Sequence, residues 1–228
     1  AQDIADALTD RYDYPFCQAL DAEQTREYVA TDDYVEGFYD PEAMTLHPLN
    51  YTLGIANAAA AAGVRIFENS RVSGYTRSDP AVVSTAKGSV KAAHVVLGCN
   101  GYLGDLEPRS AGKIMPINNF MVATEPLGKE RALELINGRF GIHDTRFVVN
   151  YFRLSDDYRL LFGGGENYRP GFPADIAKFV RYYMLRVFPQ LKDANIEYAW
   201  GGTLAVTVNR LPHLGRLEPN VFYGQGYS

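Results

Sequence analysis

Apolar and polar positions along the first half of this chain alternate in a way that predicts short strands around one clear helix. The helix is predicted over residues 48–62, with proline in its first turn and glycine directly after its end. Strands are predicted at 64–68 and 71–76, followed by a hairpin over 81–92. The run 94–98 is continuously apolar and ends in glycine, which is typical of a parallel strand covered on both faces. Together these elements predict an α/β layer.

The pattern changes after residue 104, where strands outnumber helices. The helix predicted over 174–188 carries apolar residues at helical spacing, so one of its faces is expected to pack on a sheet. A second helix is predicted at 129–136. These elements favour a mostly antiparallel sheet flanked by helices, and the fold class predicted for the whole chain is α/β plus α+β. The strands are predicted at 117–124, 146–154, 159–162, 196–208 and 221–223.

Composition excludes several classes of protein. Of 228 residues, 46% are hydrophobic and 21% are charged, which is typical of a folded protein with a sizeable core. The net charge is −5 and no basic run occurs, so nucleic acid is not an expected partner. Cys17 and Cys99 form no CxxC pair, which argues against a disulfide framework or zinc site and favours the cytoplasm. No apolar stretch approaches the roughly 18 residues of a membrane span.

Glycine clusters provide the candidate chemistry. Residues 98–104 follow the predicted buried strand, where a cofactor-contacting turn is expected, although a plain turn into the next element fits equally well. The GxG at 224–226 also follows a strand, but this motif alone is weak. Glycines 163–165 are interpreted as allowing close backbone approach or a bulge. Cys99 beside the first turn is interpreted as a small buried residue rather than a reactive thiol.

Other catalytic classes have little support in the sequence. The four histidines are scattered without metal-ligand spacing, so no metal site is expected. No GxSxG occurs, and the acidic pairs at 32–33 and 156–157 are interpreted as solvated turn residues. Neither GxGxxG nor a P-loop motif is present.

Many short segments follow one another along nearly the whole chain, and their order and spacing are characteristic of a known family. Together they resemble the D-amino-acid-oxidase-like family of FAD-dependent oxidoreductases, and within it most closely the gamma-glutamylputrescine oxidase branch. The segments are 46–49, 63–64, 71–72, 93–102, 115–116, 123–128, 151–154, 160–166, 188–191, 198–202, 209–215 and 224–228.

The resemblance implies two interleaved domains. Residues 46–104 and 206–228 would form part of a Rossmann-like FAD-binding domain, and residues 1–45 and 105–205 a substrate domain whose sheet covers the flavin. Members of this family open with a strand, GxGxxG and helix that hold the pyrophosphate, and they end with a further helix. This sequence contains neither, so we expect an internal fragment, in which FAD can be absent.

The resemblance also implies which residues contact a non-covalently bound FAD. A covalent flavin link is not expected, because no cysteine lies near residues 204–212. The implied positions lie at the adenine end (Val72), on the ADP side (Gly98, Cys99, Asn100) and at the flavin ring (Gly226, Tyr227, Ser228). No obligatory acid or base is implied, because the cofactor carries the chemistry.

The implied reaction is oxidation of an amine C–N bond, with hydride passing to flavin N5 and the resulting imine hydrolysed. Tyr151 and Trp200 are candidates for the pocket wall, although plain core packing fits them equally well. Amino-acid-oxidising members carry an arginine four residues after the Trp of a Trp-x-Gly motif, and here that position is Leu204, which favours an amine. The expected substrate is a small primary or secondary amine such as a gamma-glutamylated polyamine, with oxygen or another electron acceptor. The alternatives are a dehydrogenase or demethylase of the same fold, or a non-catalytic domain without cofactor.

Overall fold

The computed structural model describes residues 1–227, and Ser228 lies outside this described part. The helices are α1 (Gln2–Tyr12), α2 (Ala22–Tyr28), α3 (Pro48–Ala61), α4 (Pro108–Ala111), α5 (Lys129–Leu135) and α6 (Ile176–Val187). The strands are β1 (Gln18–Leu20), β2 (Gly37–Tyr39), β3 (Val72–Tyr75), β4 (Ala81–Thr85), β5 (Gly88–Ala92), β6 (Val95–Leu97), β7 (Ile114–Thr124), β8 (Ile142–His143), β9 (Tyr151–Leu154), β10 (Leu160–Asn167), β11 (Ile196–Thr207), β12 (His213–Glu218) and β13 (Val221–Gln225). Among residues 1–227, every helix is too short or too polar to cross a membrane.

The chain divides into two compact units. The first unit contains residues 1–46, 119–166 and 171–201, and the second contains 47–118, 167–170 and 202–228. Each unit combines helices with strands, so the predicted mixed α/β class with antiparallel sheets is confirmed. The assignment of a cofactor role to one part and a substrate role to the other stays a prediction.

The first unit is built on a five-stranded sheet in the order β11-β7-β10-β9-β8. β10 pairs antiparallel with β9, and β9 with β8. Asp175 caps the start of helix α6, because its side chain accepts a hydrogen bond from the Lys178 backbone N–H at 2.8 Å. Phe152 and Phe162 stack at 5.5 Å between ring centres in the core that α6 covers. Fully burying such a side chain contributes about 1.5–3 kcal/mol. Because α6 covers these rings, its packing against the sheet stabilises the first unit.

The second unit contains two three-stranded sheets. β13 lies between β12 and β6, antiparallel to β12 and parallel to β6. The other sheet is the meander β3-β4-β5. Ala81, Val95, Leu97 and Val221 form one buried cluster that joins strands of the two sheets.

Most predicted elements are present, including α3, the hairpin β4–β5 and the parallel strand β6. The strand predicted at 64–68 is wrong, because this segment forms turns and irregular backbone. The expected coverage of β6 on both faces is also wrong, because Val96 is 73% exposed. β12 was not predicted, because a strand containing glycine and charged residues has weak intrinsic propensity and is set by its pairing with β13.

Candidate functional site

The parallel pairing of β6 and β13 brings together the two glycine turns that the sequence singled out. Val95 lies opposite Val221, and Leu97 lies opposite Tyr223. The strands run in the same direction, so their carboxyl ends meet at one edge of the sheet. Residues 98–100 and Gly226 follow at this edge, which is where α/β sheets bind their ligands.

A side-chain hydrogen bond joins the two turns directly. The Gly226 backbone N–H donates to Asn100 Oδ1 at 2.9 Å. Both residues lie in the left-handed region, with φ of 47° at Asn100 and 77° at Gly226, which asparagine and glycine tolerate better than other residues do. Tyr227 is exposed after this contact. We call residues 98–100 and Gly226 the joined turns; their contact is observed, and their role toward FAD stays a prediction.

The edge of the sheet at the joined turns is open at one glycine and closed at another. A Cβ added at Gly98 would meet no atom within 4 Å, so this edge is open to a flat ligand. A Cβ at Gly101 would instead overlap the Thr203 carbonyl oxygen and lie 2.9 Å from that of Leu204, so glycine is needed there for backbone approach. Burial raises the pKa of the Cys99 thiol, which agrees with a packed residue rather than a nucleophile. The GxGxxG motif that would hold the pyrophosphate does not occur in the sequence.

Val72 is placed in a different sheet from the joined turns. It begins β3, is half-buried and lies opposite Thr85 of β4. A contact of Val72 with the adenine end would be made from the meander β3-β4-β5, and it stays a prediction.

A buried carboxylate anchors the elements behind the joined turns. Glu107 is 1% exposed and accepts hydrogen bonds from Tyr75 Oη at 2.5 Å and Arg109 Nε at 2.9 Å. Hydrogen bonding to the Arg109 guanidinium is the main reason that the pKa of Glu107 falls to about 2. Arg109 also pairs with Glu218 of β12 at 3.0 Å. These contacts tie β3, α4 and β12 together, and no reacting group is needed to explain them.

In the first unit, Tyr151 lies on the sheet face opposite the one that packs on α6. Its strand partner is Gly163, and a Cβ at Gly163 would overlap the Tyr151 ring. The Tyr151 hydroxyl donates to Asn119 Oδ1. Burial is the main reason that the pKa of Tyr151 rises to about 12, so the phenol is protonated at neutral pH. We call the sheet face formed by Asn119, Tyr151 and Gly163 the tyrosine face.

The other two predicted pocket residues lie on β11. Trp200 is 44% exposed and belongs to the first unit, whereas Leu204 is half-buried and belongs to the second. In the sheet order, β7 and β10 lie between β11 and the strand of Tyr151, so Tyr151 and Trp200 are not strand neighbours. The roles of Tyr151, Trp200 and Leu204 toward a substrate stay predictions.

Sequence reasoning missed Asn119 as the partner of Tyr151. Asn119 lies in β7 directly after Asn118, and these two polar residues interrupt an otherwise mainly apolar run. Its alternation with buried Phe120 was the only available signal.

Comparison with known proteins identifies the class. Residues 1–228 match the model of the DAO family, described as FAD dependent oxidoreductase. The chain therefore belongs to the DAO family of FAD-dependent oxidoreductases.

Among curated proteins, the chain is 40% identical over 220 residues to gamma-glutamylputrescine oxidoreductase from Escherichia coli strain K12, covering 96% of this chain and 52% of that protein. It is 38% identical over 223 residues to the probable oxidoreductase OrdL from Haemophilus influenzae, covering 95% and 51% respectively. The chain thus spans about half the length of the curated relatives it matches.

Solved structures show the same fold at lower identity. Glycine oxidase from Geobacillus kaustophilus superposes with a TM-score of 0.76 at 19% identity, covering 92% of this chain and 57% of that one. L-proline dehydrogenase from P. horikoshii gives 0.74 at 23% identity, covering 94% and 59%. Iminodiacetate oxidase from Chelativorans sp. BNC1 gives 0.77 at 16% identity, covering 99% and 62%. At these identities the likeness establishes the fold.

Proposed function

We propose that this chain is part of an FAD-dependent enzyme that oxidises the C–N bond of an amine. The observation that carries the proposal is the contact between the joined turns, Asn100 to Gly226, at the carboxyl ends of two parallel strands. This edge offers backbone groups and open space to a flat ligand, as a dinucleotide cofactor requires.

The residues proposed to contact FAD lie in 46–104 and 206–228. Gly98 offers open space, half-buried Cys99 follows it, and Asn100 fixes the second turn by accepting the hydrogen bond from Gly226. Val72 is proposed for the adenine end, and Gly226 and Tyr227 for the flavin ring. When bound, FAD supplies the acceptor for the hydride that leaves the carbon bearing the amine.

The proposed substrate is a primary or secondary amine such as a gamma-glutamylated polyamine, held by residues of 1–45 and 105–205, Leu204 among them. The apolar side chain of Leu204 cannot grip a carboxylate as an arginine would, which supports an amine over a simple α-amino acid. The 40% identity to a gamma-glutamylputrescine oxidoreductase supports the same class. Tyr151 and Trp200 would supply flat walls that exclude water from the reacting carbon.

The acceptor for the reduced cofactor is either oxygen or another electron carrier. The fold is shared with proteins named as oxidases and with one named as an L-proline dehydrogenase, so the dehydrogenase alternative remains in the proposal. Oxygen uptake during turnover, compared with reduction of an artificial dye, separates the two. We also propose a cytoplasmic location, because Cys17 and Cys99 are both free thiols.

Cofactor binding is tested by titrating FAD against the chain and following flavin fluorescence and the visible spectrum. We expect saturable quenching that Gly98→Val weakens by at least about tenfold, since its side chain would occupy the open edge. The matched control is Gly88→Val in β5, where a Cβ also meets no atom within 4 Å. An equal effect of the two substitutions would remove the joined turns from the cofactor site. A chain that ignores FAD would support the non-catalytic alternative for this piece.

Substrate class is tested on the full-length protein carrying FAD, under anaerobic conditions. We expect gamma-glutamylputrescine to bleach the flavin absorbance faster than glycine or proline does. Faster bleaching by the α-amino acids would contradict the amine assignment.

A further inference from the structure

A histidine lies beside the joined turns, on the strand next to the one that ends before Gly226. His213 begins β12 and lies opposite Gln225 of β13, the residue directly before Gly226. Its side chain is half-buried, and its ring centre lies 5.1 Å from that of Tyr223. Tyr223 has room there because the residue opposite it is Gly215, where a Cβ would overlap the Tyr223 ring. The imidazole is thus held between two side chains of β13.

Both ring nitrogens of His213 have hydrogen-bonding partners. Nε2 lies 3.2 Å from Tyr223 Oη, and Nδ1 lies 3.4 Å from Gln225 Nε2. The Gln225 amide is oriented by its other contact, because its Nε2 also donates to the Ser110 carbonyl oxygen at 2.9 Å. Since a carbonyl oxygen only accepts, the NH2 end of Gln225 faces His213, and Nδ1 must be the acceptor. This network requires the neutral imidazole, with its proton on Nε2 and directed to Tyr223 Oη.

A proton added at Nδ1 would set two donors against each other. Gln225 could accept a hydrogen bond from the Nδ1–H of His213 only by reversing its amide. The reversed amide would turn Oε1 toward the Ser110 carbonyl oxygen, so the bond to Ser110 would be lost instead. Gln225 is buried, and a buried polar group left without its partner is unfavourable. Protonation of His213 therefore removes one of the two bonds that hold the Gln225 side chain.

The position of Gln225 bears directly on the joined turns. Gln225 and Gly226 share one peptide group, so the position of Gln225 directs the Gly226 N–H toward Asn100 Oδ1, which accepts from it at 2.9 Å. Gly226 also packs against the segment that leads into β12. A Cβ at Gly226 would overlap Thr207 Cγ2 and would lie 3.7 Å from the His213 backbone nitrogen. A loss of anchoring at Gln225 is therefore transmitted to the bond between the joined turns.

The charged groups near this network are largely engaged with one another. The elements around His213 carry Tyr223 on β13, Glu107 and Arg109 at the start of α4, Arg210 before β12, and Arg216 and Glu218 on β12. Glu107 and Glu218 are both paired with Arg109, at 2.9 and 3.0 Å. The partners of the imidazole nitrogens are instead a phenol and an amide, which are neutral. A proton on Nδ1 gains no ion pair from these two partners.

We propose that His213 is a positioning residue for the joined turns, which holds them through Gln225 while its ring is neutral and loosens them when the ring gains a proton. Histidine ordinarily changes its charge between about pH 5 and pH 8, so the cofactor edge is expected to be firmest at the upper end of this range. The consequence for FAD binding rests on the proposed function, whereas the coupling of His213 to Gly226 does not.

The coupling is tested by NMR on the full-length protein, with and without FAD, from about pH 8 to about pH 5. Isotope labels on the glutamine carbonyl carbon and the glycine nitrogen select glutamine–glycine pairs, and Gln225–Gly226 is the single such pair in the 228-residue sequence. We expect the unprotonated nitrogen of His213 at about pH 8 to be Nδ1. The Gly226 amide should titrate with the same midpoint as the His213 ring. Its exchange protection should fall about fivefold or more on protonation, as the loss of one hydrogen bond predicts.

Two substitutions separate the charge of His213 from its packing. In His213→Asn, Oδ1 takes the place of Nδ1 as an acceptor for Gln225 and takes up no proton in this range, so the Gly226 signal should stop titrating. His94→Asn is the matched control, because His94 is exposed and lies at the other end of the same sheet, and it should leave the Gly226 titration unchanged. The dissociation constant for FAD should rise about threefold or more toward low pH in wild type and stay nearly constant in His213→Asn.

The outcomes distinguish this inference from the proposed function. If an amine reduces the flavin but Gly226 and His213 titrate with different midpoints, the inference is overturned and the function stands. If the midpoints coincide in a protein that does not bind FAD, the coupling stands and the function is overturned. A proton on Nδ1 at about pH 8 would contradict the network itself. Should His213→Asn fail to fold, the comparison of the two midpoints in wild type decides.

Discussion

At several positions of this chain, the residue type is determined by the space that the neighbouring atoms leave or by burial from solvent. Gly163 and Gly101 are glycines because a Cβ would overlap the Tyr151 ring in one case and approach the Leu204 carbonyl oxygen in the other. Glu107 is different, since a buried carboxylate persists only where other groups hydrogen-bond to it and neutralise its charge. At each of these positions a specific contact, and not the apolar pattern of the strand or helix, determines the residue type.

The Glu107 contacts make stability dependent on acid pH. The pKa of Glu107 is lowered to about 2 in the folded protein, against a value of about 4.3 in unfolded chains. A lowered pKa adds stability that is fully present above the unfolded value and disappears as pH falls through the folded one. We expect Glu107→Gln to lower the free energy of unfolding by about 2 kcal/mol at pH 7, and by much less at pH 2 to 3. Urea unfolding at the two pH values measures this.

A suitable control for this prediction is Glu68→Gln, at an exposed position in the same unit. It should change the unfolding free energy by no more than about 0.5 kcal/mol at either pH. A loss in Glu107→Gln that is equally large at pH 2 to 3 would show that packing, and not the charge, is responsible.

At the scale of elements, the parallel pair β6 and β13 decides where the candidate site lies. The two strands are more than a hundred residues apart in the sequence, and each ends in a turn containing glycine. Their parallel direction places both turns at one edge, and the Asn100 side chain then fastens one turn to the other. The turns that follow β6 and β13 therefore lie side by side at one edge of the sheet.

A set of substitutions at Asn100 separates its two contributions. Asn100→Ala loses the hydrogen bond to Gly226 and places an alanine at positive φ, so we expect a destabilisation of about 2 kcal/mol. Asn100→Gly keeps the favourable backbone and loses only the bond, for about 1 kcal/mol. Asn100→Asp retains an acceptor and should remain within about 0.5 kcal/mol of wild type. Urea denaturation provides the ranking, and a glycine variant less stable than the alanine variant would contradict it.

At the scale of the whole molecule, an apolar surface stands out in the second unit. Helix α3 has no buried residue within the described chain, and Leu49, Leu53 and Ile55 on it are exposed. The segment that follows adds exposed Val64 and Phe67. Large apolar side chains exposed in such number mark an area that other protein covers. The curated relatives are about twice as long as this chain, so their additional length is a sufficient source of such cover.

Leu53→Ala tests this interpretation in two lengths of protein. In the 228-residue chain we expect almost no change in unfolding free energy, because Leu53 is exposed there, together with weaker binding of a hydrophobic dye. In a protein of the relatives' full length, the same substitution should cost about 2–4 kcal/mol, as a buried leucine does. Asn57→Ala on the same helix is the control and should be nearly neutral in both. Equal effects of Leu53→Ala in the two lengths would show that the helix stays uncovered.

The sequence by itself determined the elements whose signal is local. Helix α3 follows from its proline and the glycine after it, the hairpin β4–β5 from its turn, and β6 from a continuous apolar run, because backbone preference and periodicity act over a few residues. The family resemblance came from many short segments read in order, and the match over residues 1–228 confirms it.

Only the tertiary structure decided what depends on contacts between distant residues. Pairing with β13 created β12 despite its weak pattern, and lack of a strand partner within the described residues left 64–68 irregular. The hydrogen bond from Gly226 to Asn100 and the Tyr151 ring over Gly163 had no local signal. Sequence periodicity reports which face of an element is apolar, but which partner covers that face is settled when the chain packs.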